Sequence, residues 1–402
     1  MNDALRASAG AVAVRRPSWI LPAIVLSQFA GTSLWFAGNA VLGDLQAAWG
    51  LAPAALGYAT SAVQLGFIAG TLAFAFFALS DLVSPRLVFF ACSLLGALFN
   101  LGIYALGEGL ATLLAFRFLT GFFIAGIYPV GMKIASGWYQ RDLGHALGLL
   151  VGALVLGTAF PHLLRGLGQA LPWGAVLVAV SALAALGGLV MLVFVPDGPF
   201  LARGAKFDPR ALAVIFRSRE FRASCFGYFG HMWELYAFWA FVPVVLAARA
   251  AAGLNVPLWA FVVIAAGFVG CAVGGRISLR AGSARVAFAQ LAASGACCVL
   301  SPLAFGAPTP LFLAFLVFWG VVVVGDSPQF SALNARYAPR QLVGSALTIG
   351  NCIGFSITIA SIQLLSALAA SVPPAWLFLA LAPGPALGLV ALRPLLRAQP
   401  SG

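Results

Sequence analysis

Runs of about twenty apolar residues, each long enough to cross a bilayer as a helix, recur from one end of this chain to the other. Nothing else in the sequence limits the possible folds so sharply. Of the 402 residues, 62% are hydrophobic and 8% are charged, against roughly a quarter charged in soluble domains. A transmembrane β-barrel would show short segments of alternating polarity, and none is found. The expected fold class is therefore an all-α polytopic membrane protein.

Twelve spans fit the pattern. They run Trp19–Val41, Ala55–Leu79, Leu87–Leu106, Leu110–Lys133, Gly144–Leu164 and Trp173–Val195, then Arg222–Ala247, Pro257–Leu279, Val286–Phe305, Leu311–Leu333, Leu342–Leu368 and Ala375–Leu392. All connections are short except Pro196 to Glu220, which is charged and too short for a core of its own. The expected organisation is a six-helix half over residues 1–195, a cytoplasmic linker over 196–221 and a second half over 222–402. The formal charge of +12 is read as the basic bias of cytoplasmic loops, not as a nucleic-acid footprint. With both termini inside, Arg86, Arg141, Arg276, Arg280, Arg285, Arg336, Arg340, Arg393 and Arg397 lie inside, and only Arg165 and Arg249 lie outside. The tail before Trp19 reads as cytoplasmic, leading into an uncleaved first span.

At an offset of about 200 residues the chain matches itself weakly but repeatedly. Gly126 to Pro129 falls on Gly325 to Pro328, Gly144 to Leu147 falls on Gly344 to Leu347, and Gly31 falls on Gly230. A parallel six-helix duplication accounts for all three and places a binding site at the interface of the halves.

Two six-helix halves joined by a basic loop resemble the major facilitator superfamily (MFS), over essentially the whole chain. In the loop after the second span, the family's G-x-x-x-D-x-x-G-R-[KR] signature is represented by Asp81 and Arg86, without its glycines. A second copy keeps Gly274, Gly275 and Arg276 without the aspartate. The resemblance implies that Asp81, Arg86 and Arg276 belong to gating loops that latch the halves, in a weakened or altered form. Arg117, Gly121 and Gly126 match the fourth-span R-x-x-x-G signature. The fifth span has Gly148, Gly152 and Gly157 but lacks the Gly-Pro pair of drug/proton antiporters, which counts against classical multidrug export. Paired binding arginines of the nitrate branch are also missing. The resemblance implies a bacterial twelve-span transporter of the inner (cytoplasmic) membrane, working by alternating access, expected as a monomer.

Polar residues at membrane depth are functional candidates by default. Arg117, Gly121, Ala125, Tyr128 and Met132 recur at helical spacing and would form one stripe. Arg117 either faces a cavity, pointing to an anionic or zwitterionic solute, or caps helix carbonyls or pairs within the bundle. In the seventh span His231 and Glu234 are three apart and share a face. Desolvation disfavours the charged form of a buried carboxylate and histidine titrates near neutrality, so this pair is the leading candidate for proton coupling. Glu234 and Asp326 are alternative partners for Arg117. Trp233, Tyr236 and Trp239 are candidate cavity aromatics, with packing as the alternative. Gln28, Asn351, Thr32, Asn39, Gln64 and Gln363 are further polar candidates. Lys133 and Asp142 read as interfacial anchors or gate pairs.

Six cysteines without a C-x-x-C pattern and three dispersed histidines exclude a recognisable metal site, and no cofactor is implied. No phosphate-binding loop or nucleophile elbow is present, so the chain is not read as an enzyme. The expected partners are a small-molecule substrate, protons and the lipid bilayer. The leading function is secondary-active, proton-coupled transport of a small solute. The alternatives are proton-coupled efflux of drugs or metabolites, and a transporter-like membrane sensor.

Overall fold

The structure, a computed structural model, describes residues 17–139, 143–168, 172–201, 207–250, 253–339 and 341–397; the side chains of Ser80, Asp81, Val214, Phe216 and Arg397 are outside that set. Asp81 as a gating side chain, and Arg141, Asp142, Arg203, Lys206 and Arg340 among the loop charges, thus fall outside the described residues.

Every described secondary-structure element is helical. Among the described residues, eleven helices are long and apolar enough to cross a membrane. They are Ala55–Phe76, Pro85–Leu106, Leu110–Trp138, Leu143–Leu167, Trp173–Phe194, Arg219–Ala248, Val256–Ala281, Ser283–Gly306, Thr309–Tyr337, Val343–Leu368 and Pro374–Leu396. With the shorter apolar helix Ile20–Thr32 ahead of them as the first span, these are the second to twelfth of the twelve spans expected.

The first span departs from expectation. Instead of one helix over Trp19–Val41, it is Ile20–Thr32, a turn over 33–36, and the short helices Ala37–Ala40 and Leu42–Trp49. The local chemistry explains the break. Thr32 Oγ1 bonds back to the Gln28 carbonyl at 2.8 Å and Ser33 Oγ to the Ala30 carbonyl at 2.6 Å. Such back-bonding competes with the helix ladder and bends it.

The fourth and tenth spans break as well, at equivalent places. The fourth runs Leu110–Ile124 and then Tyr128–Trp138; the tenth runs Thr309–Gly325 and then Ser327–Tyr337. Pro129 and Pro328 each sit in the first turn of the second segment, where a missing N–H costs nothing. The matching sequence steps GIYP and GDSP are therefore matching interruptions of the helix.

The packing repeats too. The fourth span lies against the second so closely that a Cβ on Gly121 would collide with the Val63 carbonyl oxygen. In the other half a Cβ on Gly320 would collide with the Val263 carbonyl oxygen. Only glycine permits main chain to touch main chain in this way.

The linker is docked rather than free. Trp138 Nε1 donates to the Pro196 carbonyl at 2.9 Å, and the Phe200 amide to the Gly137 carbonyl at 2.9 Å. Its helix Ala211–Arg217 buries Ala211 and Ile215 against Phe221, Cys225, Ala338 and Ala346.

Candidate functional site

The break in the first span exposes carbonyls, and Arg117 takes them. It donates to Leu34 O at 3.2 Å, to Trp35 O, and to Asn39 Oδ1 at 3.2 Å. Gly38 makes room, since a Cβ there would meet the arginine Cδ at 2.9 Å. Arg117 is fully buried, and among the described residues it pairs with no carboxylate. Of its two sequence readings, the geometry is that of a carbonyl cap. Neither Glu234 nor Asp326 bonds to it; each has its partners in the second half.

The acids of the second half have other partners. Glu234 accepts from Ser294 Oγ, from Trp319 Nε1 at 2.7 Å and from Cys298 Sγ at 3.4 Å. These residues belong to the ninth and tenth spans, so the carboxylate points into its own bundle. Asp326 sits at the break of the tenth span, with its Oδ1 2.8 Å from His231 Nδ1. Both side chains are 1% exposed, and no aligned hydrogen bond reaches either carboxylate oxygen, so this is a close approach without in-line geometry, a charge contact when His231 carries a second proton. The His231–Glu234 face expected from spacing is thus divided: His231 belongs with Asp326, and Glu234 stands apart.

Between the halves lies a cavity of about 70 Å³. Tyr128, Tyr228, Tyr236, Phe355, Asn351 and Ser327 line it, with Met132 and Met232. Of the expected site residues, Tyr128, Tyr236 and Asn351 are on its wall. The stripe drawn through Arg117, Gly121 and Tyr128 is split by the turn after Ile124, so only its Tyr128–Met132 end reaches the cavity. Trp233 faces away, donating to the Ala380 carbonyl at 3.2 Å on the twelfth span. Gln28 is buried against Gly131, and neither polar atom of its side chain has a partner.

Tyr228 and Phe355 were not singled out by sequence reasoning. A signal for Tyr228 existed, because Tyr228, Met232 and Tyr236 recur every four residues and share a face. Trp35 was missed for want of any signal, since its position depends on the broken first span.

The two ends of the cavity differ. On the side away from the linker, rings from both halves close it. Trp35 stacks on Tyr236 at 5.5 Å and on Phe355 at 5.7 Å, and Phe67 meets Phe355 at 4.4 Å. Farther out, Gln363 Nε2 donates to Ser61 Oγ at 2.7 Å and Asn255 Nδ2 to the Gly166 carbonyl at 2.8 Å, both across the halves. On the linker side a cleft of about 640 Å³ opens between the fifth, eighth and tenth spans, with His145, Arg276, Pro328 and Gln329 on its walls. Ser327 lines the cavity and Pro328 the cleft, so the Asp326 break stands beside both. Arg86 stays within its own half, on the Leu192 carbonyl at 3.5 Å.

The family model of the Major Facilitator Superfamily matches residues 23–362. The chain belongs to that superfamily. Two solved MFS structures share its fold. The human organic anion transporter MFSD10 (TETRAN) superposes with a TM-score of 0.71 at 16% identity, covering 94% of this chain and 100% of that one. The MFS proton:xylose symporter XylE, solved with 6-bromo-6-deoxy-D-glucose, gives 0.73 at 12% identity, covering 96% and 97%. A comparison with curated proteins finds no match. The protein is thus a multi-pass membrane transporter of the MFS fold.

Proposed function

We propose that this MFS protein is a proton-coupled secondary transporter of a small solute, with His231 and Asp326 as its coupling pair. Residues 1–195 and 222–402 rock about the central cavity, and 196–221 tethers them. With the basic loops inside, the linker-side cleft opens to the cytoplasm of a bacterial inner membrane, and the state described is inward-facing. The observation that carries the reading is the buried 2.8 Å pair at the break of the tenth span, beside both cavity and cleft. Proton gain on Asp326 would dissolve the charge contact that ties the seventh span to the tenth, which gives a conformational change something to respond to. Glu234, sealed by Ser294, Cys298 and Trp319, is assigned a structural role.

Proteoliposome flux of a solute identified by ligand-induced thermal stabilisation tests this. Wild-type protein should accumulate solute in response to a pH gradient. Asp326→Asn should lose accumulation yet retain solute exchange at zero gradient. Gradient-driven accumulation that survives in Asp326→Asn would refute the assignment. Efflux is the second reading, favoured by the aromatic cavity; in that case everted vesicles, acid inside, would accumulate the solute.

A further inference from the structure

We propose that the central cavity selects an uncharged, single-ring aromatic solute bearing hydroxyl or amide groups. This deepens the transport reading above and rests on it.

Among the described residues, the wall contains no arginine, lysine, histidine, aspartate or glutamate side chain. The charged groups nearest to it are already engaged. Arg117 is held behind Trp35 by carbonyls, Asp326 faces His231, and Glu234 is capped by three donors from its own half. An ion entering this cavity would leave water without meeting a counter-charge, which is strongly unfavourable. The arginine that suggested an anionic solute on sequence grounds is therefore not available to bind one.

What the wall does offer is hydrogen bonding without charge. The hydroxyls of Tyr128, Tyr228 and Tyr236, the amide of Asn351 and the hydroxyl of Ser327 converge on the cavity, and none has a side-chain partner among the described residues. These five groups around one space can donate to or accept from a polar solute, or the water it displaces. Between them lie ring faces and edges: Tyr236, Phe355 and Trp35 form a continuous stack, suited to offset or edge contact with a further ring. Met132 and Met232 supply polarizable, adaptable surface. The volume of about 70 Å³ is below the roughly 150 Å³ of a cavity that holds benzene, so a ring enters only as the halves shift apart, and one ring is the limit.

The test compares three probes of one shape on the purified full-length protein: 4-hydroxybenzyl alcohol, 4-hydroxybenzoate and 4-hydroxybenzylamine. Calorimetric titration should show saturable binding of the alcohol, with the anion and the cation each at least about a hundredfold weaker. Asn351→Ala and Tyr228→Phe should each weaken the alcohol about tenfold, while the unliganded melting temperature confirms that the variants fold. Arg117→Lys should leave the order of the three probes unchanged. The proposal is overturned if 4-hydroxybenzoate binds as well as the alcohol, if the cavity variants bind the alcohol as wild type does, or if no probe binds at millimolar concentration. Gradient-driven flux of some other solute alongside any of these results would leave the transport reading standing and reject only the solute class.

Discussion

Arg117 is the residue whose role changed most between sequence and structure. Its burial at membrane depth drew attention to it correctly, but its acceptors are main-chain carbonyls freed by a turn thirteen residues and more into the first span. No periodicity reveals that turn, because it comes from Thr32 and Ser33 bonding backwards. Arg117→Ala strands the Leu34 and Trp35 carbonyls and Asn39 in a dry interior. It should cost about 2–4 kcal/mol, read as a lowered unfolding temperature in detergent, with Arg117→Lys intermediate. Glu234 makes the opposite point. Spacing placed it beside His231, yet a side chain three residues on can turn to a different neighbour. Glu234→Gln keeps an acceptor oxygen for Ser294 and Trp319, so gradient-driven flux should change less than about twofold while stability falls by about 1 kcal/mol. A large loss of coupling in that variant would contradict the division of roles between the two acids.

Among the elements, the breaks matter more than the spans. The spans were legible because hydrocarbon thickness fixes their length, and the structure places all but the broken first one within a few residues of expectation. The GIYP and GDSP steps were legible as a repeat, and both prove to be interruptions. The cavity wall was legible only in part. Tyr128, Tyr236 and Asn351 were recognised, whereas Tyr228, Phe355 and Trp35 reach the site through helix register and a bend that no single span displays. If the interruptions act as hinges, Pro328→Ala, which frees the backbone angle that proline fixes at the start of the second segment, should slow solute turnover severalfold and leave equilibrium binding unchanged. Parallel loss of binding would mean that the break shapes the site rather than moving it. Close packing at Gly121 and Gly320 leaves no space for a side chain, so leucine at either should destabilise by about 1–3 kcal/mol or more, and by similar amounts at the two positions.

For the whole molecule, the contacts across the halves are concentrated on the side away from the linker. Ser61 and Gln363 meet there at 2.7 Å between side chains, and all six native cysteines are buried. A Ser61→Cys, Gln363→Cys pair, oxidised or bridged by a short bifunctional reagent, should arrest transport, and reduction should restore it. Undiminished flux in the bridged protein would show that this side does not need to open. The twin glycine contacts have a different consequence. A contact between main chains offers no side chain for mutation to replace, so it outlasts the drift that has erased most other likeness between the halves. Gly121 on Val63 and Gly320 on Val263 are accordingly the same contact made twice, at the offset of about 200 residues at which the sequence weakly matches itself. Pairs of glycines facing carbonyls at a constant offset should betray the same ancestry in chains whose sequences no longer align with themselves.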